Sequence, residues 1–472
     1  MSTYRNIFLY WTDTMSDKKY PLIELLQSLI FLHHQRTFSI HLITPKNLHE
    51  YYSFTAITPE QFFKLQPAHQ ADIVRVHCLC EYGGIWLDSD TLVLEPLEGL
   101  FKFLITHDGF FTFEQSNHLC NGVFGSRPQT PLMLEWKKMI NERLASKRRP
   151  QWTSFGSDIL NQFLNTNLMQ NYYILDGRAT IYPVNWNECV EWYLNKPISC
   201  AKELEREFQP LIILVNSVYK RVSAEDLVAG VVSLTSDCVL YYFIQKSFAH
   251  LKLSLEAPFN FIEIGAGRMD TFLDTFQEVD EQNVRGILVE PVREHLDALP
   301  SLSKVKKIQV AISNFDSSAM SNFITYVPLE VIQQRNLPKW VLGCNSLNRL
   351  HPMHVRLRLR KNVISQSTEV KSCRRFFCEN AIHEVDNLKV KTEGEDYNIL
   401  ENLFMYLRYL PESFRPKRII TYSTFLNKEQ FEQLQKWYCN EFDYSLLENA
   451  DNQIVWIRNH SPTSNIEFSS SF

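Results

Sequence analysis

The segment Ala68–Leu94, AHQADIVRVHCLCEYGGIWLDSDTLVL, constrains the fold more than any other part of this chain. Its first half is apolar nearly all round, which predicts a buried helix over about Ala68–Tyr82. Asp72 and Arg75 are the charged exceptions, and their three-residue spacing puts them on one face of a helix. The segment therefore predicts a core helix that carries a charged pair.

A glycine turn and a short strand follow that helix. Gly83 and Gly84 predict its end, because glycine adopts the left-handed conformation that a C-terminal cap needs. The apolar run Ile85–Leu87 then predicts a buried strand. Asp88 and Asp90 come directly after it, at the strand end where α/β sheets bind their ligands.

Two carboxylates at alternate positions of an extended chain point to opposite sides. Where the chain bends at a strand end, both can converge on one hard divalent cation, which would offset the charge of a diphosphate leaving group. The alternative is a solvated polar turn, because Asp-x-Asp alone is a common sequence. The helix and glycine turn in front of the acids favour the metal site.

The segment resembles the DXD region of GT-A glycosyltransferases of the Och1-like and capsular-polysaccharide type (glycosyltransferase family 32-like), and of the related clostridial glucosylating toxins. In those families an A-D-x-x-R helix precedes G-G-x-[YW]-L-D-x-D at this spacing. The resemblance implies that Asp72 and Arg75 contact the donor sugar. It implies that Asp88 binds ribose or sugar hydroxyls at the edge of the metal site, and that Asp90 ligates Mn²⁺ or Mg²⁺.

The first strand and helix precede this segment. The apolar run Asn6–Trp11 predicts a central strand, Tyr20–His34 an amphipathic helix and Phe38–Ile43 a second strand. This alternation predicts a parallel sheet. The resemblance implies that Trp11 stacks on the nucleotide base, while a core tryptophan is the equally open alternative.

Three later segments also match the same families. Cys120–Gly125 contains an Asn-Gly pair that predicts a turn, which the resemblance puts near the acceptor. Phe155–Leu160 predicts the start of a helix capped by Ser157 or Asp158. Tyr182–Trp186 corresponds to a "YP" strand of those families.

Leu211–Tyr219 predicts a buried strand that ends in Asn216 and Ser217. The resemblance implies that Ser217 contacts the donor diphosphate and that Asn216 completes the metal shell. Many relatives have a histidine two or three residues before this pair, where this chain has Ile213 and Leu214. The last metal ligand of this chain therefore departs from the family pattern. The resemblance covers residues 1–219.

The second half begins with the predicted strand Phe259–Ile264 and a glycine turn containing Gly265 and Gly267. A helix is predicted from about Met269, and a glycine turn in this position lets a ligand approach backbone N–H groups. Asp270 occupies the place of the third glycine of a dinucleotide fingerprint, which argues against a nicotinamide cofactor.

Further strands are predicted after this turn. Glu290 ends one of them, and an acid at that position can bind both hydroxyls of a ribose. The predicted strands are Arg285–Val289, Val305–Ile312, Leu388–Thr392 and Arg418–Tyr422, with a final hairpin over Ser445–Arg458.

This half resembles an S-adenosylmethionine-dependent methyltransferase of the FkbM type, through E-I-G-A-G, G-I-L-V-E-P, N-S-L and L-K-V-K-T-E-G-E-D-Y. The resemblance implies that Glu263, Gly265 and Gly267 line the methionine end of the cofactor and that Glu290 holds its ribose. Lys391 stands where relatives have an aspartate. Two alternatives follow: the methyl-transfer site uses Glu393, alone or with a neighbour, or the domain binds its ligands without catalysing methyl transfer.

Alternating basic and aliphatic residues over His354–Lys361 predict a strand. A solvated hairpin face is the simpler interpretation, and a basic wall for an anionic or glycan acceptor is the alternative.

Composition limits the remaining possibilities. The 472 residues predict two domains, and a net charge of -5 argues against nucleic-acid binding. Ten scattered cysteines favour free thiols in a reducing, cytoplasmic location. We expect Cys78 and Cys80 to be core residues and not zinc ligands. The sequence has neither a signal-peptide pattern at its start nor an apolar run long enough to span a bilayer, which leaves contact with a membrane surface open.

Together these patterns predict an α/β protein of two domains. A GT-A glycosyltransferase domain with a Rossmann-like mixed sheet is expected over residues 1–222, and a helical connector over 223–257. A Rossmann-like methyltransferase domain over 258–460 and a loose tail over 461–472 complete the chain.

The expected protein is a bifunctional enzyme. Its first domain would use Mn²⁺ or Mg²⁺ to transfer a sugar from a nucleotide-sugar donor to a hydroxyl of a glycan or glycoconjugate acceptor. Its second domain would O-methylate a sugar with S-adenosylmethionine. The first alternative is a single-function glycosyltransferase whose second domain is an inactive binding module. A non-enzymatic interaction protein is the second. No catalytic base is nominated.

Overall fold

The computed structural model describes residues 4–12, 20–34, 37–115, 118–146, 150–233, 235–251, 258–267, 284–317, 319, 321–448 and 453–459. Its contacts divide the chain into two compact units, Met1–Lys252 and Leu253–Phe472. The described part of the expected connector packs within the first unit, where Ser247 Oγ donates a hydrogen bond to Val93 O at 2.6 Å. The predicted helix at Met269, Asp270 and the predicted tail lie outside the described residues.

The first unit is built on a mixed six-stranded sheet with the order β2-β1-β3-β6-β5-β7, beside a two-stranded β4-β8 sheet. β1 is parallel to β2 and β3, whereas β6 runs antiparallel to both β3 and β5. The strands are β1 Asn6–Tyr10, β2 Ser39–Ile43, β3 Gly84–Leu87, β4 Thr91–Val93, β5 Gly109–Gln115, β6 His118–Ser126, β7 Tyr172–Leu175 and β8 Leu211–Ile213.

Helices cover both faces of this sheet. Alternate residues of the central strands point to opposite faces, so Phe8 and Trp86 lie in one apolar cluster and Ile7 and Leu87 in the other. The helices are Pro21–His34, Pro59–Phe63, Pro67–Tyr82, Glu98–Thr106, Pro131–Ala145, Ser157–Leu160, Gly177–Thr180, Asn216–Tyr219, Ala224–Leu227 and Val239–Ala249. The predicted core helix and its glycine end are confirmed, with Gly83 at φ 65°.

Four local predictions for this unit are wrong. The Asn-Gly pair of Cys120–Gly125 lies inside β6, because the flanking residues Cys120 and Val123 pair with β5 and β3. Tyr182–Trp186 forms no strand and follows a short helix instead. Gly156, not Ser157 or Asp158, is the N-cap of the helix Ser157–Leu160. The predicted strand Leu211–Tyr219 ends at Ile213, and its last four residues form a short helix.

The second unit contains a seven-stranded sheet with the order β11-β10-β9-β17-β18-β20-β19. The strands from β11 to β18 are parallel, and β20 is antiparallel to both of its neighbours. The strands of this sheet are β9 Phe259–Ile264, β10 Gly286–Val289, β11 Val305–Ile308, β17 Val385–Val390, β18 Arg418–Tyr422, β19 Tyr444–Glu448 and β20 Gln453–Arg458. The order reverses between β9 and β17, which is where doubly wound sheets open a ligand crevice.

Two small sheets and several helices complete this unit. The small sheets contain β12 Ala311–Ser313, β13 Phe323–Tyr326, β14 Ser346–Leu347, β15 Ile364–Ser367 and β16 Val370–Ser372. The helices are Arg293–Ala298, Leu329–Gln334, Pro352–Arg356, Cys373–Glu379, Asp396–Leu407 and Lys428–Gln435.

Two predictions for this unit are corrected. The expected strand Val305–Ile312 is two strands in different sheets, β11 and β12. The expected strand His354–Lys361 begins inside a helix, because Pro352 occupies its first turn and His351 caps it. The α/β fold class is confirmed in both units.

Candidate functional sites

Asp88, Ser89 and Asp90 form the turn between β3 and β4 in the first unit. The Asp88 amide donates to Gly122 O at 2.8 Å, and the Thr91 amide donates to Asp88 O at 3.1 Å. These bonds hold the backbone on both sides of Asp88. The two acids therefore lie at the carboxyl end of a strand buried on both faces, as the sequence predicted.

Arg75 lies beneath Asp88. Its Nη2 is 3.0 Å from Asp88 Oδ1 and 3.4 Å from Asp72 Oδ1, and its Nη1 donates to Asn121 O. Only 5% of the Arg75 side chain is accessible, compared with 32% for Asp88. The guanidinium therefore positions the more exposed acid from below, and the shared face of Asp72 and Arg75 is confirmed.

Trp86 supports the same contact from the strand. Its ring centroid is 5.2 Å from Arg75 Cζ, and its Nε1 donates to Asp88 Oδ1 at 2.8 Å. Asp88 Oδ1 is thus held by two buried groups, the Arg75 guanidinium and the Trp86 indole N–H, whereas Asp88 Oδ2 lies beside another residue.

That other oxygen, Oδ2, faces Gly122. A Cβ added at Gly122 would lie 2.9 Å from Asp88 Oδ2, closer than real Cβ contacts allow. Gly156 has the same relation to Asp72, with an added Cβ 2.8 Å from Asp72 Oδ1. Both glycines leave room for a carboxylate.

Hydrogen bonds connect the acid turn to the ends of two other strands. Ser89 Oγ donates to Tyr10 O at 3.0 Å, next to Trp11 at the end of β1. The Leu214 amide donates to Asp90 O at 2.8 Å, at the end of β8 and two residues before Asn216. The fold thus brings together three segments that the sequence analysis had selected separately.

Trp11 belongs to a group of three aromatic rings. Its centroid is 6.0 Å from that of Tyr20 and 5.9 Å from that of Tyr219, both edge-to-face. Tyr219 lies on the short helix that begins with Asn216 and Ser217. The partly buried Trp11 ring therefore lies beside the segment expected to reach the diphosphate.

Burial dominates the protonation of the three acids. It raises the pKa of Asp72 to about 7, against the opposing charge of Arg75. Burial also raises the pKa of Asp88, and it raises that of Asp90 well above its usual range, with the Asp88 charge adding to the effect. Paired carboxylates that resist ionisation suit a divalent cation, which would relieve their repulsion.

A cavity in the second unit opens at the switch point between β9 and β17. It encloses about 1000 Å³, including the space at its open mouth. Gly265 and Gly267 after β9, Glu290 after β10, and Lys391 and Glu393 after β17 all line it. These five predicted cofactor or methyl-transfer residues are therefore brought together.

Glu290 is buried against the glycine turn. Its Oε2 accepts from the Gly267 amide at 3.0 Å, and its Oε1 accepts from the Val292 amide, also at 3.0 Å. Burial raises the pKa of Glu290 to about 7. A buried acid that is hydrogen-bonded to a glycine turn in the lining of a cavity fits the ribose and backbone contacts of a nucleoside cofactor.

Glu263 is not among the residues that line this cavity. It is fully buried in the sheet, and its Oε1 lies 3.0 Å from Lys389 Nζ on the neighbouring strand β17. Its expected contact with the cofactor is replaced here by an ion pair inside the sheet.

Several contributing residues were missed by the sequence analysis. They are Ser89, Tyr219, Gly122 and Gly156 in the first unit, and Gly343, Cys344 and His351 in the second. The four residues of the first unit lie within segments that the sequence patterns marked, but without a role of their own, whereas no motif marked the three residues of the second unit. Cys78 and Cys80 are buried in the core without a disulfide, as predicted.

Among the residues that the structure describes, no helix is both long and apolar enough to cross a membrane.

Residues 1–226, just under half of the chain, match a family model described as "Capsular polysaccharide synthesis protein". An uncharacterized Arabidopsis thaliana protein, At4g19900, is 26% identical over 152 residues. That match covers 30% of this chain and 22% of the relative, so the chain spans about a fifth of the relative's length.

Solved structures resemble the chain only weakly. A glycosyltransferase involved in glycosylation of the major capsid of PBCV-1 is 9% identical, covering 46% of this chain and 94% of its own, with a TM-score of 0.28. The glycosyltransferase GlyE of Streptococcus pneumoniae TIGR4 is 11% identical, with coverages of 71% and 90% and a TM-score of 0.29. The CurJ carbon methyltransferase is 10% identical, with coverages of 93% and 99% and a TM-score of 0.19. Scores this low carry no argument about function.

Proposed function

We propose that the first unit is a metal-dependent glycosyltransferase that moves a sugar from a nucleotide-sugar donor to a hydroxyl of a glycan. One observation carries the proposal: Arg75 fixes Asp88 at the strand end, beside Asp90 and next to the ends of β1 and β8. The match of residues 1–226 to capsular polysaccharide synthesis proteins supports the same function.

The residues of the acid turn have separable roles. Asp88 and Asp90, with Asn216, are the groups that would hold Mn²⁺ or Mg²⁺, which supplies positive charge to a departing diphosphate. Arg75 keeps Asp88 oriented, and Asp72 contacts Arg75 from below.

The donor contacts come from neighbouring segments. Trp11 offers an aromatic face for the nucleotide base, and Ser217 offers a hydroxyl to the diphosphate. The buried positions of Asp72 and Arg75 favour a supporting role over direct contact with the sugar.

A panel of nucleotide sugars scored for Mn²⁺-dependent hydrolysis tests this function. The Asp90→Asn variant should lose at least about 100-fold of the activity found in the native protein, by analogy with removal of one group that stabilises developing charge. Glu203→Gln, an exposed acid in the same unit, is the matched control and should keep full activity. Equal hydrolysis by Asp90→Asn and the native protein would refute the proposal.

The second unit is proposed to bind S-adenosylmethionine and to methylate a sugar hydroxyl. The observation that favours it is the cavity at the strand-order reversal, in whose lining the Gly267 amide donates to Glu290 Oε2 at 3.0 Å. The cofactor would supply an electrophilic methyl group, and the protein would bind its ribose through Glu290. An inactive binding module is the alternative, because Lys391 stands where relatives carry an acid.

Isothermal titration of the full chain with S-adenosylhomocysteine tests this second function. Glu290→Gln should weaken binding, whereas the exposed Glu330→Gln should not. Absence of heat with the native chain would refute cofactor binding. Binding without methyl transfer to any glycan acceptor would favour the inactive module.

A further inference from the structure

We propose that Glu393 is the proton acceptor of the second unit's cavity, with Lys391 as its charge partner and with Cys344 and His351 as positioning residues. The acceptor that such a site takes is a neutral hydroxyl group. This inference rests on the proposed methyl-transfer function of the second unit and deepens it.

The backbone at Glu393 is unusual. Its φ of 54° lies in the left-handed region, which side chains other than glycine, asparagine and aspartate rarely adopt. A residue stays in that region only where its surroundings hold it there, and such residues concentrate at functional sites. This conformation therefore marks Glu393 as a candidate functional residue. Glu393 lines the cavity and lies three residues after the end of β17.

Gly343 packs against that carboxyl group. A Cβ added at Gly343 would lie 2.6 Å from Glu393 Oε1, so any other residue would displace the acid. Gly343 also lines the cavity. The main chain therefore forms one wall of the pocket in which the acid sits.

His351 lies behind the acid, with its Nε2 3.8 Å from Glu393 Oε2. Its Nδ1 accepts a hydrogen bond from the Met353 amide at 3.2 Å, which caps the helix Pro352–Arg356. Because Nδ1 accepts, the neutral ring must carry its proton on Nε2, facing the acid. The distance exceeds that of a hydrogen bond, and catalytic contacts of this kind commonly shorten when substrate binds.

Cys344 completes the group. The sulfur, the ring nitrogen and the carboxylate oxygen of Cys344, His351 and Glu393 all lie within 4.8 Å of one another. Burial and the neighbouring Glu393 charge raise the pKa of the Cys344 thiol to about 12, so the thiol keeps its proton. Two protonated groups therefore face one carboxylate.

The same three residues have the composition of a metal site, but their hydrogen bonds argue against one. A metal-bound histidine donates its second ring N–H to an acceptor, whereas the second nitrogen of His351 itself accepts. The trio fits a proton network better than a metal site.

The charged residues that line the cavity indicate which class of methyl acceptor it can bind. Burial raises the pKa of Glu393, and the Lys391 ammonium opposes that shift. The charged residues that line the described cavity are Glu290, Glu393, Glu395 and Lys391, so carboxyl groups outnumber the single ammonium. Such a cavity favours a sulfonium donor and disfavours an anionic acceptor. A neutral hydroxyl is a weak nucleophile that needs a nearby base.

The acceptor hydroxyl oxygen forms a bond to the methyl carbon of the sulfonium donor while the carbon–sulfur bond breaks. The electron pair of that bond stays on sulfur, which becomes a neutral thioether. The hydroxyl proton passes to a carboxylate oxygen of Glu393, which later releases it to water.

The first test uses the full chain, S-adenosylmethionine and a panel of neutral methyl glycosides. Glu393→Gln should lower methyl transfer by about 100-fold or more, the usual range for loss of a general base. Its affinity for S-adenosylhomocysteine, measured by titration calorimetry, should stay unchanged. Glu330→Gln is the control for a lost surface carboxylate.

The second test needs no acceptor. The pKa of Glu393, measured by ¹³C NMR of its carboxyl carbon, should rise in Lys391→Met and in His351→Asn, because each removes a group that favours the ionised form. Asparagine keeps an oxygen that can cap the helix but lacks the ring N–H. His351→Gln restores an N–H near the same place and should return the pKa toward its native value.

The outcomes separate the two proposals. Failure of the native chain to bind S-adenosylhomocysteine would overturn the methyl-transfer function and this inference with it. Two results would overturn this inference alone. The first is native methyl-transfer activity in a Glu393→Gln variant that still binds S-adenosylhomocysteine. The second is a Glu393 pKa that neither Lys391→Met nor His351→Asn changes. Stoichiometric Zn²⁺ binding that Cys344→Ala abolishes would replace the proton network by a metal site.

Discussion

Arg75 Nη2 lies 3.0 Å from Asp88 Oδ1, so a buried cation of a core helix directly holds an acid at the end of the central strand. The same guanidinium contacts Asp72 and is packed against the ring of Trp86. The orientation of the site's first carboxylate is therefore determined inside the core. Substitutions beneath the site should alter activity and stability together.

At pH 8, where Asp72 is ionised, Arg75→Met should lower the free energy of unfolding by about 3–5 kcal/mol, because it leaves the buried Asp72 charge without its partner. Urea denaturation of the full chain measures this loss. Adding Asp72→Asn should recover part of it. The exposed pair Lys138–Glu135 provides the control, since Lys138→Met should cost less than about 1 kcal/mol. A fully stable Arg75→Met would contradict the role assigned to Arg75.

The raised pKa of Asp72 predicts a pH dependence of stability. The native state holds this proton up to pH about 7, whereas an unfolded chain releases it near 3.8. Because the native state binds more protons between these values, this contribution to stability is present at low pH and is lost as the pH rises through 7. The loss is at most about 4 kcal/mol, from roughly three pKa units.

Comparison of Asp72→Asn with the native chain isolates this effect in metal-free buffer. The variant should gain in relative stability between pH 5 and pH 8, because it carries no charge at either value. Thermal unfolding at the two pH values provides the measurement. An equal difference in Tm at both would show that Asp72 ionises normally in the fold.

Gly122→Ala should damage the site without unfolding the chain. The added methyl would lie 2.9 Å from Asp88 Oδ2 and must displace that carboxylate. Mn²⁺-dependent donor hydrolysis should fall by about 10-fold or more, consistent with a small misplacement of a catalytic group. Gly99→Ala, whose methyl would meet only the Phe208 ring at 3.2 Å, should keep its activity.

Trp11→Ala should weaken nucleotide diphosphate binding by about 1–3 kcal/mol if its ring stacks on the base. Trp11→Phe keeps an aromatic face and should retain most of the affinity. The exposed Trp152→Ala serves as the control. Titration in the presence of Mn²⁺ measures all three, and unchanged affinity in Trp11→Ala would return this residue to a purely structural role.

Local sequence determined much of this protein. Apolar residues on nearly every face specify the buried helix Pro67–Tyr82, Gly83 specifies its end, and the apolar run before Asp88 specifies a buried strand. These features depend on contacts between near neighbours in the chain, so a pattern of a few residues contains them. The main strands of the second unit were likewise predictable: the strands expected at Phe259–Ile264, Arg285–Val289 and Arg418–Tyr422 and the final hairpin Ser445–Arg458 are all present.

Local rules failed where distant pairing overrode them. The Asn-Gly pair at Gly122 has the composition of a turn, yet it lies within β6, between residues that pair with β5 and β3. The alternating residues after His354 have the period of a strand, yet Pro352 and the cap from His351 begin a helix just before them. In each case a partner or cap outweighed a weak local preference.

Tertiary structure alone decided how the charged groups meet. No spacing in the chain relates Arg75 to Asn121, Gly343 to Glu393, or Glu263 to Lys389, because each pair is joined by the packing of separate elements. The sequence by itself determined which acids stand at strand ends. Only the folded chain determined which cation, glycine or thiol lies against each acid, since burial and distance set electrostatic interactions and both arise only once the core has formed.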